Sequence, residues 1–310
     1  MRINLSEKEI IDDYLLNKMS ILKISKKFNV SATPIRRILE ENGVKIRTLS
    51  EEFLKNSFDE TFFNKIDTEE KAYWLGFLYA DGYVSAKQSK VCKSIQYKLT
   101  IILAEIEPLE KFKKCINSTH NIKNSNYKGY KQFYLNITSK ILHDQLTKLG
   151  CFENKSLTLK FPTNDQVPKE LLCHFIRGYF DGDGSISKST MKQKRNKATF
   201  IYLKSQVQIC GTNEFLTELR KNLPFNASIV KDKRKVTNTW SLSFNGIKRS
   251  YSFYKWLYEN SHVYLNRKKE KFEDIFKSFE RGSTTIIGLP TFGLYKRGRR
   301  DSLVLYENIS

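Results

Sequence analysis

A stretch that occurs twice constrains this chain more than any other feature: Trp74-Leu-Gly-Phe-Leu-Tyr-Ala-Asp-Gly82, and again Ile176-Arg-Gly-Tyr-Phe-Asp-Gly-Asp-Gly184. Each reads as an apolar helical segment ending in Asp-Gly. A motif that recurs about 100 residues further on implies two similar half-domains, not two unrelated loops. Small residues stand four apart in each copy, Gly76 and Ala80 in the first and Gly178 and Gly182 in the second. That spacing clears one helical face, so two such helices can approach backbone to backbone, with Leu75, Phe77, Leu78, Ile176, Tyr179 and Phe180 filling the cores around them. The expectation is a helix pair at the joint between two halves, with Gly76, Ala80, Gly178 and Gly182 in the interface.

Asp81 and Asp183 then fall at the carboxyl ends of the two helices, each followed by glycine. This is the electrostatically unfavourable end, because the negative helix terminus repels a carboxylate and two parallel helices bring the carboxylates near each other. A single Asp-Gly is ordinarily a helix stop and turn, but two copies on matching helices point to a bound cation. Oxygen ligands alone suit Mg2+, which keeps several waters and leaves positions for a substrate phosphate. An ion there can activate water toward a phosphodiester and stabilise the leaving oxygen.

The chain around the motifs alternates. Ile95, Tyr97, Leu99, Ile101 and Leu103 share one face of a strand whose other face carries Gln96, Lys98 and Thr100. Residues 107–117 read as helix, 132–138 as a strand burying Phe133, Leu135 and Ile137, and 139–149 as helix. The second half repeats this order: Ile201, Leu203, Val207 and Ile209 alternate with Tyr202, Lys204, Gln206 and Gln208. A helix over 212–223, a strand at Trp240, Leu242 and Phe244, and a helix over 250–260 follow. The fold class is therefore α+β, with antiparallel sheets that pack one apolar face on helices.

The other faces carry Gln96, Lys98, Thr100, Gln132, Tyr134, Asn136, Tyr202, Lys204, Gln206 and Gln208, side chains that can read base edges. A basic segment from Lys188 to Lys197, including Lys192, Lys194 and Arg195, lies where it can meet phosphates. The formal charge of +21 agrees, since such an excess favours a polyanion. Residues 1–70 hold 12 Lys and Arg against 13 Asp and Glu, leaving 42 against 20 for the remainder, so the positive field belongs to the repeated body. A solubilising lysine-rich surface is the competing explanation of charge alone.

Before the body, Ser20 opens a helical pattern with Ile21, Ile24 and Phe28, and Asn29-Val30-Ser31 reads as a turn. A second helix follows, with Ser31 as its cap, Pro34 in its first turn, Ile35, Ile38 and Leu39 buried, and Gly43 at its exit. This is helix-turn-helix spacing, and Thr33, Arg36 and Arg37 stand where a recognition helix meets DNA. Residues 44–70 read as a mostly extended connector with a short helix near 51–56. A hydrophobic content of 40% is enough for a core. The five cysteines show no Cys-x-x-Cys pairing, and no run approaches a membrane span or a signal peptide. A soluble, cytoplasmic protein with reduced thiols is expected, or one in the organelle or phage-infected cell that houses its target.

The paired motifs resemble those of the LAGLIDADG homing endonucleases, in the single-chain form with two pseudo-symmetric halves, over about residues 70–280. The resemblance implies αββαββα halves, saddle-shaped sheets over the DNA major groove, and Mg2+-dependent cleavage of both strands, with Mn2+ able to substitute. Carried over position by position, the metal-binding acids are Asp81 and Asp183, with Ala80 and Gly182 beside them in the metal set. Asp181 has Tyr79 as its counterpart and is not assigned to catalysis. The family also places a basic residue near each centre, which implies Lys155 and Lys268, with Lys269 a competing registration for the latter. Such a lysine can polarise the attacking water or offset phosphate charge. Trp74-Leu75 departs from the usual opening, and the helix-turn-helix precedes the nuclease.

The expected divisions are a helix-turn-helix domain over 1–48, a connector over 49–69, motif halves over 70–162 and 163–280, and a basic tail over 281–310. The tail, with Lys296-Arg-Gly-Arg-Arg300, is either a DNA-touching segment or without function. The expected function is a monomeric, site-specific endonuclease acting on double-stranded DNA at a long asymmetric site, with no membrane partner. A non-catalytic DNA-binding regulator on the same fold and an RNA maturase that assists intron splicing are the alternatives.

Overall fold

The computed structural model describes residues 6–17, 19–47, 56–88, 94–155, 158–195, 198–232, 239–284 and 303–306. Two units, Met1–Ser57 and Phe58–Ser310, each have a hydrophobic core of their own. In the first, α1 (Glu7–Leu15), α2 (Ile21–Lys27) and α3 (Ala32–Glu41) surround Ile10, Tyr14, Ile21, Ile24, Ile35, Ile38 and Leu39. The hydroxyl of Ser20 accepts from the Lys23 backbone N–H and so caps α2, as expected. Ser31 holds the cap position of α3 but makes no side-chain cap hydrogen bond, which corrects the capping expectation. Asn29 in the turn and Gly43 at the exit both have positive φ. Helix α1 has no counterpart in the sequence reading.

The body repeats one plan twice. Helix α4 (Glu69–Asp81) leads into β1 (Gly82–Gln88), β2 (Ile95–Leu103), α5 (Glu107–Cys115), β3 (Lys123–Tyr127), β4 (Tyr130–Thr138) and α6 (Lys140–Lys148). Helix α7 (Leu172–Asp183) leads into β5 (Gly184–Arg195), β6 (Ala198–Gly211), α8 (Asn213–Lys221), β7 (Ser228–Lys231), β8 (Trp240–Asn245) and α9 (Ile247–Tyr258). Both halves are thus αββαββα, with antiparallel sheets ordered β1-β2-β4-β3 and β5-β6-β8-β7. Val84, Leu99, Ile101, Leu135 and Ile137 are buried in the first sheet; Ile186, Val207, Ile209, Leu242 and Phe244 are their equivalents in the second. One further helix, α10 (Asn266–Thr284), follows α9.

The motif helices lie at the centre because nothing larger than glycine fits between them. A Cβ at Gly76 would overlap the carbonyl of Phe175, and one at Gly178 would overlap the carbonyl of Tyr73. At the far end a Cβ at Gly182 would strike the Cβ of Ala80. Contacts advance together along both helices, so they run in the same direction and approach as closely as the small-residue spacing predicts.

Other expectations need correction. The extended connector is a compact turn region at its end: Phe62, Phe63 and Ile66 are buried in the body's core, and the Asp59 N–H donates to the Ile116 carbonyl at 2.8 Å. Most of the short helix expected over 51–56 lies outside the described residues. The basic segment from Lys188 belongs to a strand, since β5 runs to Arg195, and Lys188 donates to Ser278 of α10 at 2.8 Å. Within the expected tail, α10 continues to Thr284 and a strand, β9 (Leu303–Tyr306), pairs with Phe200–Leu203 of β6. Lys296–Arg300 lies outside the described residues.

Candidate active site

Each motif helix ends on its aspartate and passes directly into a strand. Gly82 and Gly184 have extended backbones, with φ of −79° and −84°, so neither glycine is there to supply a left-handed turn. They are required by closeness: a Cβ at Gly82 would lie 2.7 Å from the carbonyl oxygen of Leu78, and one at Gly184 would overlap the Phe180 ring. Helix and strand are thereby joined without a loop, and the two carboxylates sit at that junction.

The helix pairing brings the two ends together. The Asp81 carboxylate oxygen lies 3.0 Å from where a Cβ of residue 182 would sit, so a first-half acid rests against the end of the second-half motif. Burial pushes the Asp81 carboxyl up to about 6, the Asp183 charge adds to this, and Lys155, Lys268 and Arg267 act against it. Asp183 is the more exposed of the two. Burial, a like charge and the negative helix terminus all disfavour ionised Asp81, and a cation relieves each of them.

Each centre has one buried lysine. Lys155 donates to the carbonyl of Gly82, and Lys268 donates to the carbonyls of Gly184 and, at 3.4 Å, Phe180. The two ammonium groups occupy equivalent places one residue past their aspartates, which is the pairing expected for Lys155 and Lys268. Lys269 instead lies over the Tyr264 ring at 4.3 Å. Burial lowers the Lys268 ammonium to about 8, with Arg267 contributing in the same direction. A cleft beside it is lined by Gly182, Gly184, Ser185, Ile186, Arg267, Lys268 and Lys271, so three basic side chains face it. Arg267 and Lys271 were not singled out in sequence, although both stand in the basic run that opens α10.

The donors available at the helix ends are oxygens only: the Asp81 and Asp183 carboxylates with the backbone carbonyls of the motif ends, Ala80 and Gly182 among them. Among the described residues no group of three His, Cys, Asp or Glu side chains is placed to hold an ion. Two carboxylates without nitrogen or sulfur fit a hard cation that retains water, such as Mg2+, and do not fit a closed zinc site.

Asp181 is elsewhere, as its mismatch with Tyr79 suggests. It is fully buried and accepts from the hydroxyls of Tyr73 at 2.8 Å and Tyr258 at 2.5 Å and from the Leu265 N–H at 2.7 Å. Tyr79 is buried and donates its hydroxyl to the Leu149 carbonyl. Both side chains hold the segment that leads to a lysine.

The expected reading faces are assembled by the strand registers. Thr100 pairs with Asn136, and its hydroxyl donates to the Asn136 side-chain oxygen at 2.8 Å. Gln96 and Lys98 pair with Lys87 and Ser85 of β1, and Tyr134 and Gln132 with Lys123 and Ser125 of β3. Strands β1 and β3 thus widen a face that sequence assigned to β2 and β4 alone. In the second sheet Gln208, Gln206 and Lys204 pair with Ser185, Ser187 and Ser189, and Gln208 donates to Ser241 at 2.6 Å. Tyr202 pairs with Met191. The backbone register pairs Lys192 with Ile201, Lys194 with Thr199 and Arg195 with Ala198. In the amino-terminal unit Thr33, Arg36 and Arg37 are all exposed on α3, with Arg37 3.6 Å from Glu41.

Sequence comparison matches residues 170–256 to the LAGLIDADG-like domain. No curated protein matches the chain. Among solved structures, the meganuclease I-SmaMI bound to uncleaveable DNA is similar at a TM-score of 0.52 and 14% identity, over 70% of this chain and 92% of that one. The I-LtrWI LAGLIDADG homing endonuclease bound to target DNA is similar at 0.50 and 12%, over 73% and 92%. With two αββαββα halves joined through paired Asp-Gly helices, this chain matches a LAGLIDADG-like domain over residues 170–256 and has the fold of the LAGLIDADG homing endonucleases.

Proposed function

We propose that the protein is a site-specific DNA endonuclease that cuts both strands of a long asymmetric site as a monomer, with Mg2+ or Mn2+ as cofactor. The observation that carries this reading is the joint itself: two acidic helix ends side by side, each with one buried lysine donating to the carbonyl after its aspartate. A regulator that only binds DNA has no need of two such centres. Asp81 and Asp183 hold the cation, with the backbone of Ala80 and Gly182 beside them, and a bound divalent ion supplies Lewis-acid chemistry toward the phosphodiester. Lys268, lowered to about 8, is poised to exchange a proton with water near neutral pH or to offset charge on the phosphate. Lys155 holds the equivalent place in the first centre. The polar faces of the two sheets read the DNA, and Thr33, Arg36 and Arg37 add contacts from the helix-turn-helix unit. I-SmaMI and I-LtrWI, both solved bound to DNA, support the DNA assignment.

The test is selection of cleaved ends from a randomised duplex library in Mg2+, in Mn2+ and in EDTA. A unique cut sequence, absent in EDTA and with Asp81→Asn or Asp183→Asn, is the expected result. Tight sequence-specific binding without cutting in either ion sinks the proposal in favour of the regulator.

A further inference from the structure

The segment that carries Lys155 is held from within its own half. Tyr79 donates to the Leu149 carbonyl, the Cys151 thiol to the Leu78 carbonyl at 3.5 Å, and Glu153 is bound by Tyr83 at 2.8 Å and Lys87 at 3.1 Å. Each of these contacts on residues 149–155 comes from the first half.

The segment that carries Lys268 is held differently, from both halves: Arg177 of its own half donates to the Val263 carbonyl at 2.8 Å and Asp181 accepts from the Leu265 N–H, while the opposite half adds further contacts. Glu69, at the start of α4, accepts from the N–H groups of His262 at 2.8 Å and Val263 at 3.2 Å. Lys111 of α5 donates to the Tyr264 carbonyl at 3.1 Å and to Asn266 at 3.2 Å, and Asn266 donates to Glu107 at 2.8 Å. Tyr73 reaches across the helix joint to Asp181, whose same carboxylate oxygen accepts from the Leu265 N–H. Leu265 N–H and Lys268 are then separated by one helical turn, and the Lys268 N–H donates to the Leu265 carbonyl at 3.0 Å. The ammonium's position is therefore set by where residues 262–266 sit, and first-half side chains share in setting that, as they do not for Lys155.

We propose that Tyr73 and Lys111 are positioning residues for the second centre, so that the two strand cuts depend unequally on the joint between the halves. This rests on the endonuclease reading. A displacement of a reacting group by about 1 Å costs on the order of a hundredfold in rate, so partial release of the clamp is enough to separate the two cuts. Glu69 is a poor probe of the idea, because its removal strands the buried Arg177 guanidinium, 2.5 Å from it, and destabilises the whole joint.

The experiment uses the full chain, Mg2+ and a supercoiled plasmid carrying the sequence recovered by library selection, with each strand's cut resolved by end-labelling. Tyr73→Phe, which keeps the ring and removes one hydroxyl, is expected to slow one strand by about tenfold and leave the other within twofold, accumulating circles nicked in a single strand. Lys111→Met, at a half-exposed position outside the core, is expected to slow the same strand, by roughly threefold, and keeps the test readable if Tyr73→Phe folds poorly. Tyr79→Phe, on the other clamp, is expected to slow the opposite strand. Equal slowing of both strands by Tyr73→Phe and Lys111→Met, or no slowing of either, overturns the proposal while leaving the endonuclease standing. A wild-type chain that cuts neither strand overturns the endonuclease reading itself.

Discussion

Asp81 is held in a place that disfavours its charge, and that has a consequence for stability. Its carboxyl is raised from the usual range to about 6 by burial and by Asp183. The native state therefore binds more protons than the unfolded chain between about pH 4 and 6, so this group's contribution falls as pH rises through that window and the deficit persists at neutral pH. Asp81→Asn cannot ionise, and its Tm in EDTA at pH 7.5 is expected to exceed the wild-type value by roughly 2–4 °C. At about pH 3.5, where the carboxyl is largely protonated in the folded and unfolded chain alike, the two proteins are expected to melt alike. Added Mg2+ should raise the wild-type Tm and not that of the variant, and thermal melts at the two pH values with and without the ion measure all of this. A variant that melts below wild type at neutral pH would mean that Asp81 is a net stabiliser and the cation idea loses its physical motive. The acidic ends were legible in sequence because helix polarity alone makes them anomalous; the buried carboxylate of Asp181 was not, since its partners Tyr258 and Leu265 are some 80 residues away in the chain.

The elements that form the joint tolerate almost no added volume. Gly178→Ala would drive a methyl into the Tyr73 carbonyl and part the helices, at a cost of about 1–3 kcal/mol or more. Urea melts should read this loss, whereas Gly129→Ala, at a turn where a Cβ meets nothing within 4 Å, should cost only the strain of its φ of +84°. If both variants lose the same stability, close helix packing is not what holds the halves. Small residues four apart and strict strand alternation made these elements readable. Helix α10 escaped, because Asn266-Arg-Lys-Lys opens as a charged run, although Phe272, Ile275, Phe276 and Phe279 then follow at helical spacing. The short strands β3 and β7 escaped for a different reason: Lys123–Tyr127 is exposed throughout and carries no apolar alternation, so only pairing with β4 defines it. The turns at residues 60–64 read in sequence as part of an extended connector because the periodicity of residues 44–70 is broken, whereas Phe62, Phe63 and Ile66 turn into the core.

At the scale of the molecule, the division of labour follows from where cores and charge lie. The amino-terminal three-helix unit closes its own core around Ile24, Ile35 and Leu39, and the body closes another that reaches from Phe62 to Phe279. Both candidate centres, both lysines and both sheets belong to the body, and so does the excess of positive charge, with 42 Lys and Arg against 20 Asp and Glu after residue 70. Removal of residues 1–57 is therefore expected to leave a folded protein that cuts at the same two phosphates. What it should lose is affinity that comes from binding phosphates, since exposed Arg36 and Arg37 go with it. Each phosphate that the protein no longer neutralises lowers the slope of log K against log salt by about 0.9, so a binding titration across a salt series should give a shallower line by one to two such steps for the truncated chain. An unchanged slope with unchanged affinity would remove the helix-turn-helix from DNA recognition, and loss of cutting with binding intact would place part of the active machinery in the first 57 residues, away from both acidic helix ends.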